Sequence, residues 1–404
     1  MCYGSRSIEE ETPMKKTAEF DIIVYGATGY TGRLVAEYLA QRHGVGGDVN
    51  WAMAGRSAAK LAQVRDEIGA PANTPLVIAD ADNPASLAAM VARTRAVLTT
   101  VGPYQLYGDA LVAACAEGGT DYLDLCGETP WMRKVILAHD ATAKRTGARI
   151  TLSCGFDSIP FELGVFFLQE TARAKLGAPV ARAKGRVRGL KGTFSGGTAA
   201  SGAATMALAA KDPDVMAQLM NPFSLVPGFE GPAQPHGMAP EFDQDVESWV
   251  APFIMATINS RNIHRSNALQ GHAWGLDFVY DEMMIAGPGP QGEATAKAIA
   301  GAGLGLGANP PKPGEGPSKE ERETGFYDVL FIGFGPDGQQ VRVSVKGDRD
   351  PGYGSTCKII SEAAICLVKD CADTPGGVWV PGAAMGGKLI DRLAANAGLT
   401  FTVE

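Results

Sequence analysis

Three glycines within seven residues, Gly26, Gly29 and Gly32, interrupt the stretch DIIVYGATGYTGRLVAEYLAQRHG at residues 21–44. Bare main chain at that spacing can approach something bulky and anionic. The chemistry that suits such a cradle is pyrophosphate binding at a helix start, where unpaired N–H groups and the helix dipole carry partial positive charge. Gly26 suits the tight turn, Gly29 the approach of the phosphates, and Gly32 close packing of helix on strand. Ala27, Thr28, Tyr30 and Thr31 complete the loop. A plain strand-to-helix turn with incidental glycines is the alternative reading.

A second group follows in VNWAMAGRSAAKL, residues 49–61. A site that prefers NAD places an acidic side chain here, on the ribose 2′-hydroxyl. No acid lies between Val49 and Arg65; Arg56 and Ser57 follow the apolar run instead, with Lys60 one helical turn on. A guanidinium grips a phosphate with two hydrogen bonds. The pattern predicts NADPH/NADP+ as cofactor, against a solvated surface arginine. Asp80, closing the next apolar run, joins the candidate cofactor residues.

The elements that must hold these groups alternate regularly. FDIIVY (20–25) reads as a strand buried on both faces, and Leu34, Val35, Tyr38 and Leu39 as the apolar stripe of the helix after it. Further strands are expected at 49–55, 75–80, 96–102, 121–125 and 148–155. Helices lie between them, including one opened by Asn83 as cap and Pro84 in its first turn. Six strands in such alternation make a doubly wound sheet, whose ligands bind beyond the carboxyl ends of the strands. Asp124 and Glu128 flank the end of the fifth strand. They either orient a ribose or cap the N-terminus of the following helix.

After residue 155 the rhythm changes. Residues 157–175 predict a long helix opened by Asp157, Ser158 and Pro160. In ARAKGRVRGLKG, Arg182, Lys184, Arg186 and Arg188 share one face of a strand. That face is either solvated or turned to an anionic substrate. Residues 192–206, small and glycine-rich, read as a loop entering a helix beside the cofactor, or as a linker. A hairpin is expected around Pro336–Gly338, with a helix at 355–370 packed on it through Ile359, Ile360, Ala363 and Leu367. The fold class expected is α/β: an N-terminal Rossmann doubly wound parallel sheet, with a second α+β domain containing an antiparallel sheet. The boundaries expected are a disordered tail at 1–18, a cofactor domain at 19–156, a substrate and dimerisation domain at 157–375, and a C-terminal helix at 376–404 returning to the first domain.

Composition bounds the partners. Of 404 residues, 45% are hydrophobic and 20% charged, a globular balance, and the formal charge of -8 argues against nucleic acid. Seven scattered cysteines without CxxC read as reduced thiols in a cytoplasmic protein, and five isolated histidines predict no metal site. No run is long enough for a transmembrane segment.

The stretches VYGATGYTGRLVAEYL, GPYQLYGDALVAACAEGGTDYLDLCGE, CGFDSIPFELG, SGGTAAS and GGVWVPGAAMG together resemble the saccharopine dehydrogenase-like NADP-binding oxidoreductases. The similarity points to the branch that includes bacterial trans-acting enoyl reductases. It runs over about residues 20–395 and is weakest at 221–325. The resemblance implies that Val101, Gly102, Pro103 and Tyr104 lie near the nicotinamide ribose. CGFDSIP and SGGTAAS contain no arginine to seat a dicarboxylate, a departure from true saccharopine formers.

On that footing Tyr104, Tyr107, Asp157 and Ser158 are the candidate catalytic residues. The tyrosines serve either as proton donors or as rings packed over the cofactor. Phe194 and Thr198 are the candidate substrate contacts. The expected activity is NADPH-dependent reduction of a C=C bond in an enoyl or lipid-like substrate, small or presented by an acyl carrier, in a homodimer. Reduction of an imine or carbonyl, and non-catalytic sensing of NADP(H), remain as alternatives.

Overall fold

The computed structural model describes residues 18–193, 195–302, 312 and 314–404. The expected tail, apart from Ala18, lies outside them. The chain opens with β1 (Phe20–Tyr25), α1 (Tyr30–His43), β2 (Trp51–Gly55), α2 (Ala58–Glu67), β3 (Leu76–Ile78), α3 (Pro84–Val91) and β4 (Thr94–Thr99). It continues with α4 (Tyr104–Tyr107), α5 (Asp109–Gly118), β5 (Asp121–Leu123), α6 (Thr129–Thr146) and β6 (Arg149–Thr151). Helix starts follow local chemistry: Asn83 Oδ1 accepts Ser86 N at 3.2 Å before Pro84, and Ser57 Oγ accepts Lys60 N at 3.3 Å to open α2.

The second half contains α7 (Ile159–Leu176), β7 (Arg182–Lys191), α8 (Gly196–Ala209), α9 (Pro213–Met220), β8 (Glu241–Asp243), β9 (Ser248–Pro252), α10 (Ala256–Leu269) and β10 (Val279–Gly287). After these come α11 (Gly289–Gly301), α12 (Lys319–Thr324), β11 (Phe326–Phe334), β12 (Gln340–Gly347), α13 (Thr356–Ile365), β13 (Gly377–Trp379), α14 (Pro381–Asn396) and β14 (Leu399–Val403).

Two seven-stranded sheets result. The first runs β13-β6-β5-β4-β1-β2-β3, every pair parallel. Its order reverses between β1 and β4, and such a switch point is where a doubly wound sheet opens a ligand crevice. The second runs β14-β12-β11-β7-β10-β9-β8. It is mixed rather than purely antiparallel, because β7 and β10 pair in parallel.

Three expectations change. The first sheet gains a seventh strand, β13, supplied by Gly377–Trp379 from the far end of the chain. The helix that returns to the first sheet is α13, packed on α1, β1 and β4 rather than on the hairpin; α14 packs on α7 and α13, and β14 closes the edge of the second sheet. The basic face of β7 is neither solvated nor open to an anion. Arg182 pairs with Asp281, Lys184 with Asp243 and Asp245, Arg186 with Asp243 and Asp281, and Arg188 with Asp328 and Glu404. Arg186 is fully buried within this ladder. Neighbouring strands supply the counter-charge that a single strand's sequence does not reveal.

Candidate active site

The cradle is built as its spacing demands. Gly26 has φ +90°, a conformation side chains rarely adopt, and a Cβ there would lie 2.7 Å from Val101 Cγ2. A Cβ on Gly32 would lie 2.7 Å from the Gly26 carbonyl carbon and 2.8 Å from Thr100 Oγ1, so only glycine lets α1 approach the turn. Gly29 N donates to Gly26 O at 2.9 Å, and Gly29 caps α1 with no side-chain bond and no acid in the first turn. The positive end of the helix is thus left to an anion. Ala27 is buried beneath the turn, Thr28 and Gly29 are exposed at its mouth, and Thr31 is half-buried.

Beside the cradle, Thr28, Arg56, Ser57, Lys60 and Asp80 line a cleft of about 320 Å³. Two cations and one carboxylate meet there at the carboxyl ends of β1, β2 and β3. Tyr25 lies below, its hydroxyl pushed up to about 12 by burial and by the Asp80 charge. An adenosine with a 2′-phosphate fits this donor set: glycine amides for the pyrophosphate, Arg56 and Lys60 for the extra phosphate.

Tyr30 departs from its expected role. Its hydroxyl donates to Pro317 O and accepts from Arg322 Nη1 at 3.0 Å, and its ring meets Tyr353 edge-on at 5.2 Å. Only its main chain serves the cradle; its side chain ties α1 to the segment before α12.

The loop after β4 carries Gly102 and Pro103, joined by a cis peptide. Glu128, buried, receives Tyr104 N and Gln105 N at 2.8 Å each, one on either carboxylate oxygen. It therefore caps α4, the helix before it in sequence, rather than the one it opens. Asp124, also buried, accepts from Cys126 N, Ser153 N and Tyr122 Oη. Burial pushes it up to about 7 against those bonds. The expected cap on the following helix is not made, because the Glu128 carboxylate is taken up by α4, while Asp124 stitches β5 to the end of β6.

Tyr104 is not placed as an acid. It is 5% exposed, its hydroxyl accepts Leu125 N at 3.0 Å and donates to Thr99 O at 3.4 Å, and burial holds the phenol far above its usual range. Its ring packs on Trp131 at 5.6 Å. Tyr107 stands exposed at the end of α4. Ser158 is fully buried, and its Oγ accepts Asn262 Nδ2 at 2.7 Å across to α10, so it is a strut rather than a reactive hydroxyl.

The other wall comes from α8. Ser201 Oγ would lie 3.6 Å from a Cβ at Gly102, and Gln105 Nε2 donates to Thr205 Oγ1 at 3.2 Å, so this helix covers the carboxyl end of β4. At its start Thr198 Oγ1 and Tyr353 Oη are 2.9 Å apart, and Tyr353 Oη accepts Ser195 N at 2.5 Å. Asp157, half-buried at the end of β6, is close enough for its charge to act on Tyr353. Phe194 lies outside the described residues.

Tyr353 is the residue that sequence reasoning missed. Its only local signal is a tyrosine between two glycines in RDPGYGST, where Asp350 receives Tyr353 N and Gly354 N and fixes a turn of π-helix. Among the described residues no group of three metal-ligating side chains occurs, and no helix is long and apolar enough to cross a membrane.

A family profile described as the saccharopine dehydrogenase NADP binding domain matches residues 22–150. A Mycobacterium tuberculosis protein is 40% identical over 413 residues, covering 95% of this chain and 97% of its own, and provisionally carries the name trans-acting enoyl reductase. The Mycobacterium ulcerans protein named trans-acting enoyl reductase is 37% identical, over 93% of this chain and 96% of its own. Apo saccharopine dehydrogenase (L-Glu forming) from Saccharomyces cerevisiae superposes with a TM-score of 0.53 at 11% identity, over 95% of this chain and all of that one. At that identity the likeness speaks for the fold alone.

Proposed function

The chain belongs to the saccharopine dehydrogenase-like family of NADP-dependent oxidoreductases that includes the trans-acting enoyl reductases, and from this premise we propose that it reduces the C=C bond of an enoyl thioester with an apolar acyl chain. The observation that carries the reading is the Thr198–Tyr353 hydroxyl pair at the start of a helix of small residues. Neutral hydroxyls suit a thioester carbonyl, whereas a dicarboxylate calls for guanidinium groups.

Bound NADPH supplies a hydride, the one chemical step the polypeptide does not provide. Arg56 and Lys60 would hold the 2′-phosphate, and the amides of the glycine turn would hold the pyrophosphate. Glu128 fixes the Gly102–Tyr104 loop by gripping two main-chain amides. Helix α8, with Thr198 at its head, lies against that loop through Ser201 and Thr205. Thr198 and Tyr353 offer a hydrogen bond to the thioester oxygen as charge develops on it.

Purified protein is expected to oxidise NADPH, followed by its absorbance, when given enoyl thioesters of increasing chain length. Imines and ketones of similar size should give little or no oxidation. Preference for an imine or a ketone would refute the proposal in favour of a dehydrogenase acting on C=N or C=O.

A further inference from the structure

Resting on that reading, we propose that Asp157 is the general acid of the site, delivering the proton to the substrate's α-carbon. The buried carboxyls of this region are otherwise committed. Glu128 caps α4, Asp124 bridges β5 and β6, Glu162 accepts Gly382 N at 2.7 Å, and Asp350 accepts Tyr353 N and Gly354 N. Asp157 is half-buried, and among the described residues its carboxyl makes no hydrogen bond or ion pair.

Its neighbours fix the turn that presents it. Phe156 N donates to Thr356 Oγ1 at 3.0 Å, the Phe156 ring meets Phe161 and Tyr327, and Ser158 is bonded to Asn262. An unpartnered carboxyl held by a rigid turn, at the carboxyl edge of the cofactor sheet and near Thr198–Tyr353, is placed to give a proton away. Dense surroundings push it up to about 7, with no counter-charge opposing. Its charge acts on Tyr353, and Cys154 and Glu162 are the ionisable groups nearest it along the chain. Burial drives all three towards their neutral forms. Arg322 and Asp350 lie behind Tyr353 and act on one another.

The step balances as follows. The β-carbon of the enoyl thioester receives the hydride, and the π pair of the C=C bond moves to the α-carbon. That carbon forms a bond to the proton of Asp157 as the carboxyl O–H bond breaks. The products are the saturated thioester, NADP+ and the Asp157 carboxylate, which takes a proton back from water.

Asp157→Asn should lower kcat by roughly 10²–10⁴-fold while the Kd for NADPH, read by fluorescence, stays within about twofold. Wild-type kcat should fall as pH rises through about 7, and the variant should lack that limb. Several buried carboxyls, Asp124 and Glu282 among them, are pushed up towards neutrality, so the infrared difference spectrum between wild type and Asp157→Asn should show the loss of one protonated-carboxyl band that titrates near neutrality, the others remaining. Asp157→Glu, which keeps the acid, should recover part of the rate. If Asp157→Asn is folded by circular dichroism yet retains wild-type kcat and pH profile, the acid assignment falls while the reductase reading stands. If the wild type turns over no enoyl thioester, both fall. If that difference spectrum shows no lost carboxyl band, Asp157 is not a group that titrates near neutrality, and the proposal fails on that ground.

Discussion

Replacing Arg56 tests the cofactor assignment at its most exposed point. The cleft beside the glycine turn holds Arg56 and Lys60 against Asp80, a formal charge of one positive unit before a phosphate enters. Arg56→Ala brings that to zero and removes both prongs of the guanidinium grip. A charge-assisted hydrogen bond is worth about 1.5–3 kcal/mol when shielded. Arg56 is exposed, so solvent screening reduces the pair to about 2 kcal/mol in all. That predicts about 30-fold weaker NADPH binding. NADH lacks the 2′-phosphate and should change by less than about twofold. Arg56→Asp adds repulsion from a new carboxylate and should cost NADPH roughly 1 kcal/mol more. Fluorescence titration of each cofactor at two ionic strengths is the assay. The wild-type preference for NADPH should shrink with salt, and the variant's should be nearly flat. Equal weakening of NADPH and NADH would refute the reasoning, because it would place Arg56 in general support of the fold rather than on the 2′-phosphate.

Glu282 is buried, accepts Asn259 Nδ2 at 2.7 Å and Tyr280 Oη at 2.8 Å, and burial pushes it up to about 8. Its folded-state value lies above its unfolded one, so its stability contribution is complete below about pH 4.5 and is lost as pH climbs through about 8. At about 1.4 kcal/mol per unit, Glu282→Gln should remove up to about 5 kcal/mol of that pH dependence, read by urea unfolding at several pH values. Gly32→Ala drives a methyl group into the Gly26 carbonyl and should cost about 2–3 kcal/mol along with NADPH binding; unchanged melting and affinity would contradict the packing described here. Glu128→Gln turns one acceptor into a donor facing a main-chain N–H, which should cost about 2 kcal/mol in denaturant unfolding and lower kcat by loosening the Gly102–Tyr104 loop.

What was legible in the sequence was local. The glycine turn, the cap and proline at Asn83–Pro84, and Arg56 after β2 all act within a few residues of themselves, so type and spacing suffice. What was not legible depends on distant partners. Tyr104 looks like a reactive phenol until Leu125 N and Thr99 O are seen to occupy its hydroxyl. The three residues of β13 carry no strand signal of their own length; they become a strand because β6 offers an open parallel edge. Helix α10 was hidden because it buries Asn259, Asn262 and Arg265, which bond Glu282, Ser158 and the carbonyls of Leu225 and Val378 instead of facing water. Its polar residues disguise an interior element as a surface one.

The same non-local contacts unite cofactor turn and substrate wall. Tyr30, the first residue of α1, touches Tyr353, and Tyr353 holds both Ser195 and Thr198 at the head of α8. Thr356, one turn further along, receives Phe156 N and so fixes the strand end that presents Asp157. A single stretch, residues 350–356, thus meets the first residue of α1 after the glycine turn, the hydroxyl pair and the turn that carries the proposed acid. It runs directly into α13, the helix packed on β1 and β4. The returning segment thereby ties the glycine turn of the first sheet to the wall opposite it. Because hydride transfer would depend steeply on the separation of these two sides, Asp350→Asn, which keeps the shape of the π-turn cap but removes its charge, should lower kcat more than the Kd for NADPH; equal effects on both would refute that link.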